Sequence, residues 1–365
     1  MESVAYVGMD VDKEKIAVAV VCDYEPQARQ RQVVANRPKA VKRLFEQLNE
    51  HYETVIACYE AGACGFELYR RITDVGAGCV VAAPATVPKK PTDRVKTDRR
   101  DAVKLALGLR NGELTPVYVP SRDDEATRDY LRLYEDVKDE LKRAKQRLQH
   151  FLHRRELRWT GAHNWTAAHR RWLRSLEFEN ALEQHTFDEY LSEVLRLEKK
   201  RARIAAEVEE IAAQERYCES VATLRAFKGI GTLTALSFVV EIGDFRRFRT
   251  AAQFMAFLGL VPCENSSGDR RRLGGITKAG NSHLRKLLVE AAWHARSYHR
   301  HSRSLRRDRS GLPAQTVAYA DRAGRRLTKK FHRLLYSGRP PQVAATAVAR
   351  ELAGFLWGAM LGQTA

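Results

Sequence analysis

The feature that most constrains this chain is a pair of carboxylates, Asp98 and Asp101, at the start of an apolar-periodic segment. Thr97 precedes them in a position typical of a helix N-cap, so both acids are predicted to lie in the first two turns of a helix. Residues three apart share one helix face, where two negative charges repel each other unless a cation lies between them. Pairing with Arg99 and Arg100, or a favourable interaction with the helix N-terminus, would also account for the pattern.

The chain before this pair alternates predicted strands with predicted helices. Strands are indicated at 4–9, 16–22, 31–35, 55–59 and 79–83, amphipathic helices at 38–48 and 66–74, and a short apolar run at 117–119. This alternation predicts an α/β sheet. Asp10 ends the first strand and Glu60 ends the fourth, which places both acids at the rim of the sheet, where ligands bind in open α/β folds.

Four carboxylates that converge on one rim repel each other unless they are neutralised. Asp10, Glu60, Asp98 and Asp101 form such a set. Two Mg²⁺ ions would neutralise it, because oxygen ligands suit this cation. A pair of ions would also stabilise both oxygens of a phosphodiester displacement. The pattern therefore favours metal-dependent chemistry on a phosphodiester.

The charge balance indicates a polyanionic partner. The 365 residues include 63 Lys and Arg against 45 Asp and Glu, a formal net charge of +18, which favours nucleic acid. A soluble basic protein with no such partner is the alternative. The six cysteines show neither C-x-x-C pairing nor zinc spacing, so we expect reduced thiols and a cytoplasmic protein. No signal peptide and no bilayer-spanning apolar run are recognised, so no membrane partner is expected.

The middle of the chain is predicted to form a helical arm. Apolar residues recur at spacings of three and four in two highly charged stretches, which predicts an antiparallel helical hairpin of the coiled-coil type. These residues are Tyr130, Tyr134, Val137, Leu141, Ala144, Leu148 and Phe151, then Phe187, Tyr190, Val194, Leu197, Ile204, Val208 and Ile211. Between the two stretches, aromatic and basic residues from Trp165 to Trp172 suit nucleic-acid stacking. An ordinary helical bundle with no partner fits the same pattern.

The last third carries two further motifs. Lys228, Gly229 and Gly231 lie between two apolar segments, in a pattern that resembles a helix-hairpin-helix element. Glycines allow the backbone to approach a phosphate, and the following helix N-terminus favours an anion. A tight turn between helices is the alternative. Downstream, Ser266 and Ser267 lie in a basic loop that composition alone would describe as a turn. Cations there are expected to contact the phosphate backbone, namely Arg270, Arg271, Arg272 and Lys278.

These motifs together resemble a known family. The order Asp, Glu, Asp-x-x-Asp on this strand pattern resembles the RuvC-like (RNase H-like) nuclease domain, and the wording from Lys96 to Ala102 is similar to that of the DEDD insertion-sequence transposases, insertion sequence family one-ten. The resemblance implies that the four acids bind Mg²⁺, with Mn²⁺ as a substitute. The wording around the serines resembles the C-terminal transposase domain of the same family. There the Ser before Gly is the nucleophile, which corresponds to Ser267, with Ser266 as the alternative.

The resemblance implies a fold of class α/β plus all-α. It implies a RuvC/RNase H-like nuclease domain at 1–120, a helical coiled-coil arm at 121–220, and a mostly helical C-terminal transposase domain with a helix-hairpin-helix-like element at 221–365. It implies a DNA transposase and site-specific recombinase that cuts and exchanges strands through a serine–phosphodiester intermediate. An alternative enzyme is a metal-dependent nuclease of the Holliday-junction type that uses water. A non-catalytic nucleic-acid-binding protein derived from a transposase is the other alternative, and the intact acid set argues against it.

The partners implied by the resemblance are donor and target DNA, a non-coding bridge RNA that pairs with both, and further copies of the chain. A dimer, or a tetramer in the synaptic complex, is expected. The expected location is the cytoplasm of a prokaryote, in association with the nucleoid.

Overall fold

The structure, a computed structural model, describes residues 2–23, 25, 27–84, 97–265, 272–298 and 302–363. Contacts between Cα atoms divide the chain into two compact units, 1–119 and 120–365. The predicted boundary near residue 220 lies inside the second unit, so the division of the arm from a C-terminal domain stays a prediction. Ser266, Ser267, Arg270 and Arg271, which the sequence singles out, lie outside the described residues.

The first unit contains a mixed sheet of five strands in the order β3-β2-β1-β4-β5. Strand β1 is antiparallel to β2 and parallel to β4. The sheet confirms the predicted α/β organisation, whereas the run 117–119 forms no strand and follows an isolated bridge between Ala82 and Pro116. The elements are β1 (Glu2–Val11), β2 (Lys15–Cys22), β3 (Gln30–Ala35), α1 (Pro38–His51), β4 (Tyr52–Glu60), α2 (Glu67–Thr73), β5 (Gly78–Ala82) and α3 (Asp98–Arg110).

Side-chain alternation gives the two faces of this sheet different partners. Large apolar residues of one face pack against α1 and α2, and this core includes Val7, Met9, Val18, Phe45 and Ile72. The other face carries small residues. Ala17 and Ala19 of β2 are buried there together with Ala102 of α3. Helix α3 therefore covers the face opposite to α1 and α2.

The second unit consists of helices and one short β-hairpin. Its elements are α4 (Arg122–His153), α5 (Ala167–Arg174), α6 (Ala181–Ala212), α7 (Glu215–Arg225), α8 (Thr232–Ile242), α9 (Ala251–Phe257), β6 (Pro262–Glu264), β7 (Leu273–Ile276), α10 (Ser282–Ala292), α11 (Arg303–Asp308), α12 (Ala314–Tyr336) and α13 (Pro341–Met360). The sequence analysis did not predict the hairpin. Among the described residues, no helix is both long and apolar enough to cross a membrane.

Helices α4 and α6 form the predicted antiparallel hairpin. Arg155 pairs with Glu183 and Lys145 pairs with Glu198, which fixes the opposite directions of the two helices. The apolar seams are buried in the chain's own core: Val137, Leu141 and Val194, for example, are at most 3% exposed. Each seam is thus covered by other parts of the same chain, and these residues offer no free surface to a second copy.

Candidate active site

The position of the predicted acids depends on how closely α3 approaches β1. Gly8 lies directly against the main chain of α3, where a Cβ atom would come within 2.0 Å of the Ala102 oxygen and 2.4 Å of the Ala106 nitrogen. Ala102 and Ala106 are themselves fully buried. Any larger side chain at these positions would push the helix off the sheet, so this contact requires small residues.

The neighbouring strand contacts the same helix. The Cys58 thiol of β4 donates to the Leu105 carbonyl of α3 at 3.3 Å. In the parallel register, Gly8 lies beside Cys58 and the following residues of the two strands are also paired. Asp10 and Glu60 each lie two residues further along, and side chains two apart share a face. Both acids therefore belong to the α3 face, side by side at one end of the sheet.

Helix α3 begins at the same end. Thr97 occupies the N-cap position as predicted, although its hydroxyl makes no capping hydrogen bond. Its carbonyl instead accepts from the Arg100 and Asp101 amides at 2.9 and 3.1 Å. The Asp98 carboxylate lies 3.5 Å from the ammonium of Lys15, the first residue of β2. Because β2 begins beside the end of β1, this ion pair brings the first turn of α3 to the sheet edge that carries Asp10.

The two α3 acids differ in exposure and both are paired with lysines. The Asp98 side chain is 58% exposed, whereas the Asp101 side chain is 23% exposed and lies 3.2 Å from the Lys104 ammonium. Within the described part of the chain, no group of three or more His, Cys, Asp or Glu side chains is arranged to hold a metal ion. The donor set is nonetheless purely carboxylate, which fits a hard cation such as Mg²⁺.

The predicted serine loop connects the two strands of the β-hairpin. Strand β6 pairs with β7 in antiparallel fashion, and the Asn265 amide donates to the Arg272 carbonyl at 2.9 Å. The serines between them lie outside the described residues. Arg272 and Lys278 are exposed, and Lys278 adopts a positive φ of 56°. Both cations are thus placed at the surface near the hairpin, and their proposed phosphate contacts stay a prediction.

Two glycines fix the segment that follows the hairpin against the end of α9. A Cβ at Gly259 would lie 2.0 Å from the Ala279 oxygen, and a Cβ at Gly280 would lie 2.0 Å from the Phe257 oxygen. Both glycines also have positive φ, which L side chains rarely adopt. The Arg285 guanidinium donates to the Leu258 and Ala279 carbonyls at 2.9 and 3.0 Å. The base of the hairpin is therefore rigidly packed.

Comparison with known proteins agrees with this arrangement. A DEDD transposase model for IS110 elements matches residues 7–155, and the model described as "Transposase IS116/IS110/IS902 family" matches residues 221–307. The protein y4qE of Sinorhizobium fredii, provisionally named a transposase, is 37% identical over 97% of this chain and 87% of its own length. The transposase for insertion sequence element IS1533 of Leptospira borgpetersenii is 34% identical over 92% of this chain and 97% of its own length.

The chain belongs to the IS110 family of insertion-sequence transposases. Transposases of this kind cut and exchange DNA strands, so the protein is an enzyme that acts on DNA. A relative from Pseudomonas aeruginosa, provisionally named a family 20 transposase, is 28% identical over 98% of this chain. The two matched segments include all four predicted acids and the predicted serine loop.

The helix-hairpin-helix-like turn of the transposase has a structural as well as a predicted binding role. Gly229 has a φ of 90°, and a Cβ there would lie 2.6 Å from the Ala291 oxygen of α10. Gly231 begins α8, and a Cβ there would meet no atom within 4 Å. The Lys228 ammonium donates to the Ser297 carbonyl, and burial lowers the pKa of Lys228. Only Gly231 therefore leaves open space for a phosphate, and the binding role of this turn stays a prediction.

A buried carboxylate that sequence analysis missed ties three helices of the transposase together. Glu241 of α8 is 9% exposed and accepts from Arg132 of α4 at 2.7 Å and from the Asn281 amide at 3.1 Å. The Asn281 side-chain oxygen also accepts from the Leu284 amide at 3.0 Å, which caps α10. Arg128 of α4 donates to two carbonyls at the end of α8. A single Glu in an apolar helix was the available signal in the sequence.

The aromatic stretch of the arm is a small internal core instead of an open stacking surface. His169 is 2% exposed, and its ring contacts those of Trp159, Trp165 and Trp172. Arg170 binds the Glu198 carboxylate through two hydrogen bonds of 2.5 and 2.9 Å. The interpretation of this stretch as a stacking site is therefore not supported, because its rings and this cation already have partners within the arm.

Proposed function

We propose that this transposase cuts and exchanges DNA strands with a RuvC-like set of acids and a serine nucleophile, under the guidance of a bridge RNA. The observation that carries the proposal is the contact of Gly8 with α3. This contact holds the first turn of α3 at the edge of the sheet where β1 and β4 end in acids. Four carboxylates from three separate elements are thereby concentrated at one end of the first unit. A purely structural sheet has no need for this arrangement.

Asp10, Glu60, Asp98 and Asp101 would hold Mg²⁺, with Mn²⁺ as a substitute. When bound, the cation neutralises developing charge at the scissile phosphate. Lys15 and Lys104 neutralise the two α3 acids in the structure as described. These ion pairs are at least partly exposed, and pairs of this kind contribute little to stability. We therefore expect that both lysines release the acids at little cost when DNA and the cation bind.

Ser267 would act as the nucleophile, with Ser266 as the alternative. Its Oγ attacks the phosphorus atom and loses its proton, while the bond from phosphorus to the leaving sugar oxygen breaks and that oxygen gains a proton. The product is a phosphodiester between serine and one DNA end. In strand exchange, a sugar hydroxyl of another strand attacks this phosphorus, a new DNA phosphodiester forms, and the serine recovers its proton. The number of phosphodiester bonds is therefore conserved, and no high-energy cofactor is consumed.

Sequence choice in this proposal belongs to the bridge RNA, which pairs with donor and target DNA, whereas the protein recognises backbone and shape. The net charge of +18 supports extensive phosphate contacts. A dimer or tetramer would supply acids and serines to both DNA partners. The arm seams are buried within the chain, so assembly has to use other surfaces.

The acid assignment is tested by the variant Asp101→Asn, which keeps the shape of the side chain and removes its charge. We expect strand cleavage to fall by about a hundredfold or more while DNA binding persists, since loss of groups that organise a metal typically costs 10- to 100-fold even in the outer shell. Asp123→Asn is the matched control, because Asp123 also lies in the first turn of a helix and its side chain is 80% exposed. Cleavage by Asp101→Asn at the wild-type rate, or recombination in the presence of a chelator, would show that the assignment is wrong.

The RNA assignment is tested separately. Purified transposase should require an RNA that is transcribed beside its own gene, and RNase treatment should abolish site-specific recombination. Addition of the matching transcript should restore it. Site-specific recombination that survives complete RNase digestion would instead indicate that the protein reads DNA sequence directly.

A further inference from the structure

Helix α12 is strongly basic and divides its cations between two faces. It carries six Lys and Arg residues, whereas Asp321 is its single acidic residue. Asp321 is 5% exposed and binds Arg309 at 2.7 Å, so it does not neutralise the outer surface of the helix. The remaining question is which of the cations are already paired.

One face of α12 is paired with the neighbouring helix. Arg326 and Lys330, four residues apart, both contact the Glu351 carboxylate of α13, the latter at 2.7 Å. The Glu351 side chain is 17% exposed. Burial alone would raise the pKa of Glu351, but hydrogen bonds from the two cations outweigh that effect and lower it. These two cations therefore have a structural role in packing α12 on α13.

The adjacent face presents cations without a protein partner. Arg325, Lys329 and Arg333 recur every four residues, so they lie on one stripe of the helix at intervals of about 6 Å. All three are exposed, and no carboxylate of the described residues lies within 4.0 Å of their charged groups. The sequence pairs Arg325-Arg326 and Lys329-Lys330 thus each contain one paired and one unpaired cation.

A large aromatic ring ends the stripe. Tyr336, the last residue of α12, is three helical turns beyond Arg325 and lies on the same side of the helix. Its side chain is 89% exposed, the highest value among the large hydrophobic residues of the described chain. An aromatic ring exposed to this extent at the end of a row of cations fits a base that stacks while the cations contact its backbone.

We infer that this face of α12, formed by Arg325, Lys329, Arg333 and Tyr336, binds a single-stranded segment of the DNA that the transposase handles. The cations suit any phosphate backbone, but the ring selects an unpaired base, because a base inside a duplex is not accessible for stacking on a side chain. Strand cutting and exchange, the activity of this family, necessarily releases single-stranded DNA. The inference rests on that activity and not on the serine mechanism.

The test compares two double variants with the same loss of charge, measured on the full chain by fluorescence anisotropy with labelled oligo-deoxythymidylate. Arg325→Gln with Lys329→Gln should weaken binding and reduce the salt dependence of log affinity by about 1.4, or roughly 0.7 per lost phosphate contact on a single strand. Arg326→Gln with Lys330→Gln should leave the slope unchanged and lower the melting temperature, because Glu351 loses its partners. Equal losses of affinity in both variants would overturn the proposal.

The ring is tested on its own, because neither variant at Tyr336 removes a buried contact. Tyr336→Ala should weaken oligo-deoxythymidylate binding by about tenfold, and Tyr336→Phe, which keeps the stacking surface, should bind like wild type. A duplex of the same length should be bound equally by all three proteins. Unchanged single-strand affinity of Tyr336→Ala, an equal loss on the duplex, or a loss confined to oligo-uridylate would each contradict a site for single-stranded DNA.

Discussion

Gly8 of β1 and Ala102 of α3 are in main-chain contact, and a Cβ atom on Gly8 would lie 2.0 Å from the Ala102 carbonyl oxygen. This contact sets the distance between α3 and the sheet, and with it the distance from Asp98 and Asp101 to Asp10. A change at Gly8 should therefore act on the candidate active site through the position of a helix and not through any lost chemical group.

The variant Gly8→Ala should destabilise the first unit by about 1–3 kcal/mol, the usual cost of forcing extra atoms into a packed core. DNA cleavage by the protein that remains folded should also fall, because the α3 acids move away from β1. Urea unfolding and a cleavage assay measure the two effects. Gly78→Ala is the matched control in β5, since its Cβ would meet neighbours only at 3.5 Å or more. Equal behaviour of the two variants would show that the contact does not position α3.

Much of this site follows from sequence, because it depends on local patterns. Asp10 and Glu60 end their strands as predicted, and α3 begins after Thr97 as predicted. The contact at Gly8 does not follow, since a glycine within a strand is equally compatible with a bulge or a flexible position. Only the position of α3, a long-range property, distinguishes a required glycine from a tolerated one.

The arm shows the opposite limit. Its apolar period predicted the α4–α6 pair, but period alone does not tell whether a seam meets the same chain or a second copy. Likewise, Trp165 and Arg170 match the composition of a nucleic-acid stacking site, although the structure places both inside the arm. Aromatic and basic residues serve both purposes, so the assignment depends on partners such as Glu198 that lie far away in sequence.

The variant Leu141→Ala should destabilise the second unit by about 2–5 kcal/mol, because Leu141 is 3% exposed and its removal leaves a cavity. Leu133→Ala is the control on the same helix, where the side chain is 38% exposed, and it should cost far less. Thermal unfolding and sedimentation measure stability and assembly together. If Leu141→Ala dissociates an oligomer without loss of stability, the seam is an interface between chains.

The Glu198 carboxylate should make the arm sensitive to acid. Burial tends to raise its pKa, but hydrogen bonds from Arg170 and Lys145 outweigh burial and lower it below the ordinary value. A carboxyl with a lowered folded-state pKa stabilises the fold above its unfolded pKa of about 4.3, and this contribution is lost as the pH falls through the folded value.

The variant Glu198→Gln should therefore be less stable than wild type at neutral pH, and the difference should shrink as the pH falls below about 4. Glu193→Gln is the control, because Glu193 lies on the same helix and binds Arg196 with a side chain that is 36% exposed. Exposed pairs contribute little, so its effect should be at most about 1 kcal/mol. A pH-independent difference between Glu198→Gln and wild type would contradict the assigned ion pairs.

Asn281 links the cap of α10 to the buried Glu241 carboxylate, and two variants separate these roles. Asn281→Ser and Asn281→Asp both keep a side chain suited to the N-cap. The aspartate, however, places a second negative charge where the amide donated to Glu241, so it should cost about 1–3 kcal/mol more than the serine in chemical unfolding. Equal stability of the two variants would show that Glu241 does not depend on Asn281.

The most direct test of the proposed mechanism is mass spectrometry of the peptide that remains attached to DNA after the strand is cut. The account predicts a denaturation-resistant adduct in which Ser267 carries the nucleotide, and its absence in Ser267→Ala, which should bind DNA but exchange no strands. A nucleotide on Ser266 would move the nucleophile by one residue. DNA cleavage by Ser267→Ala with no adduct in the wild type would contradict the account and identify a nuclease that uses water.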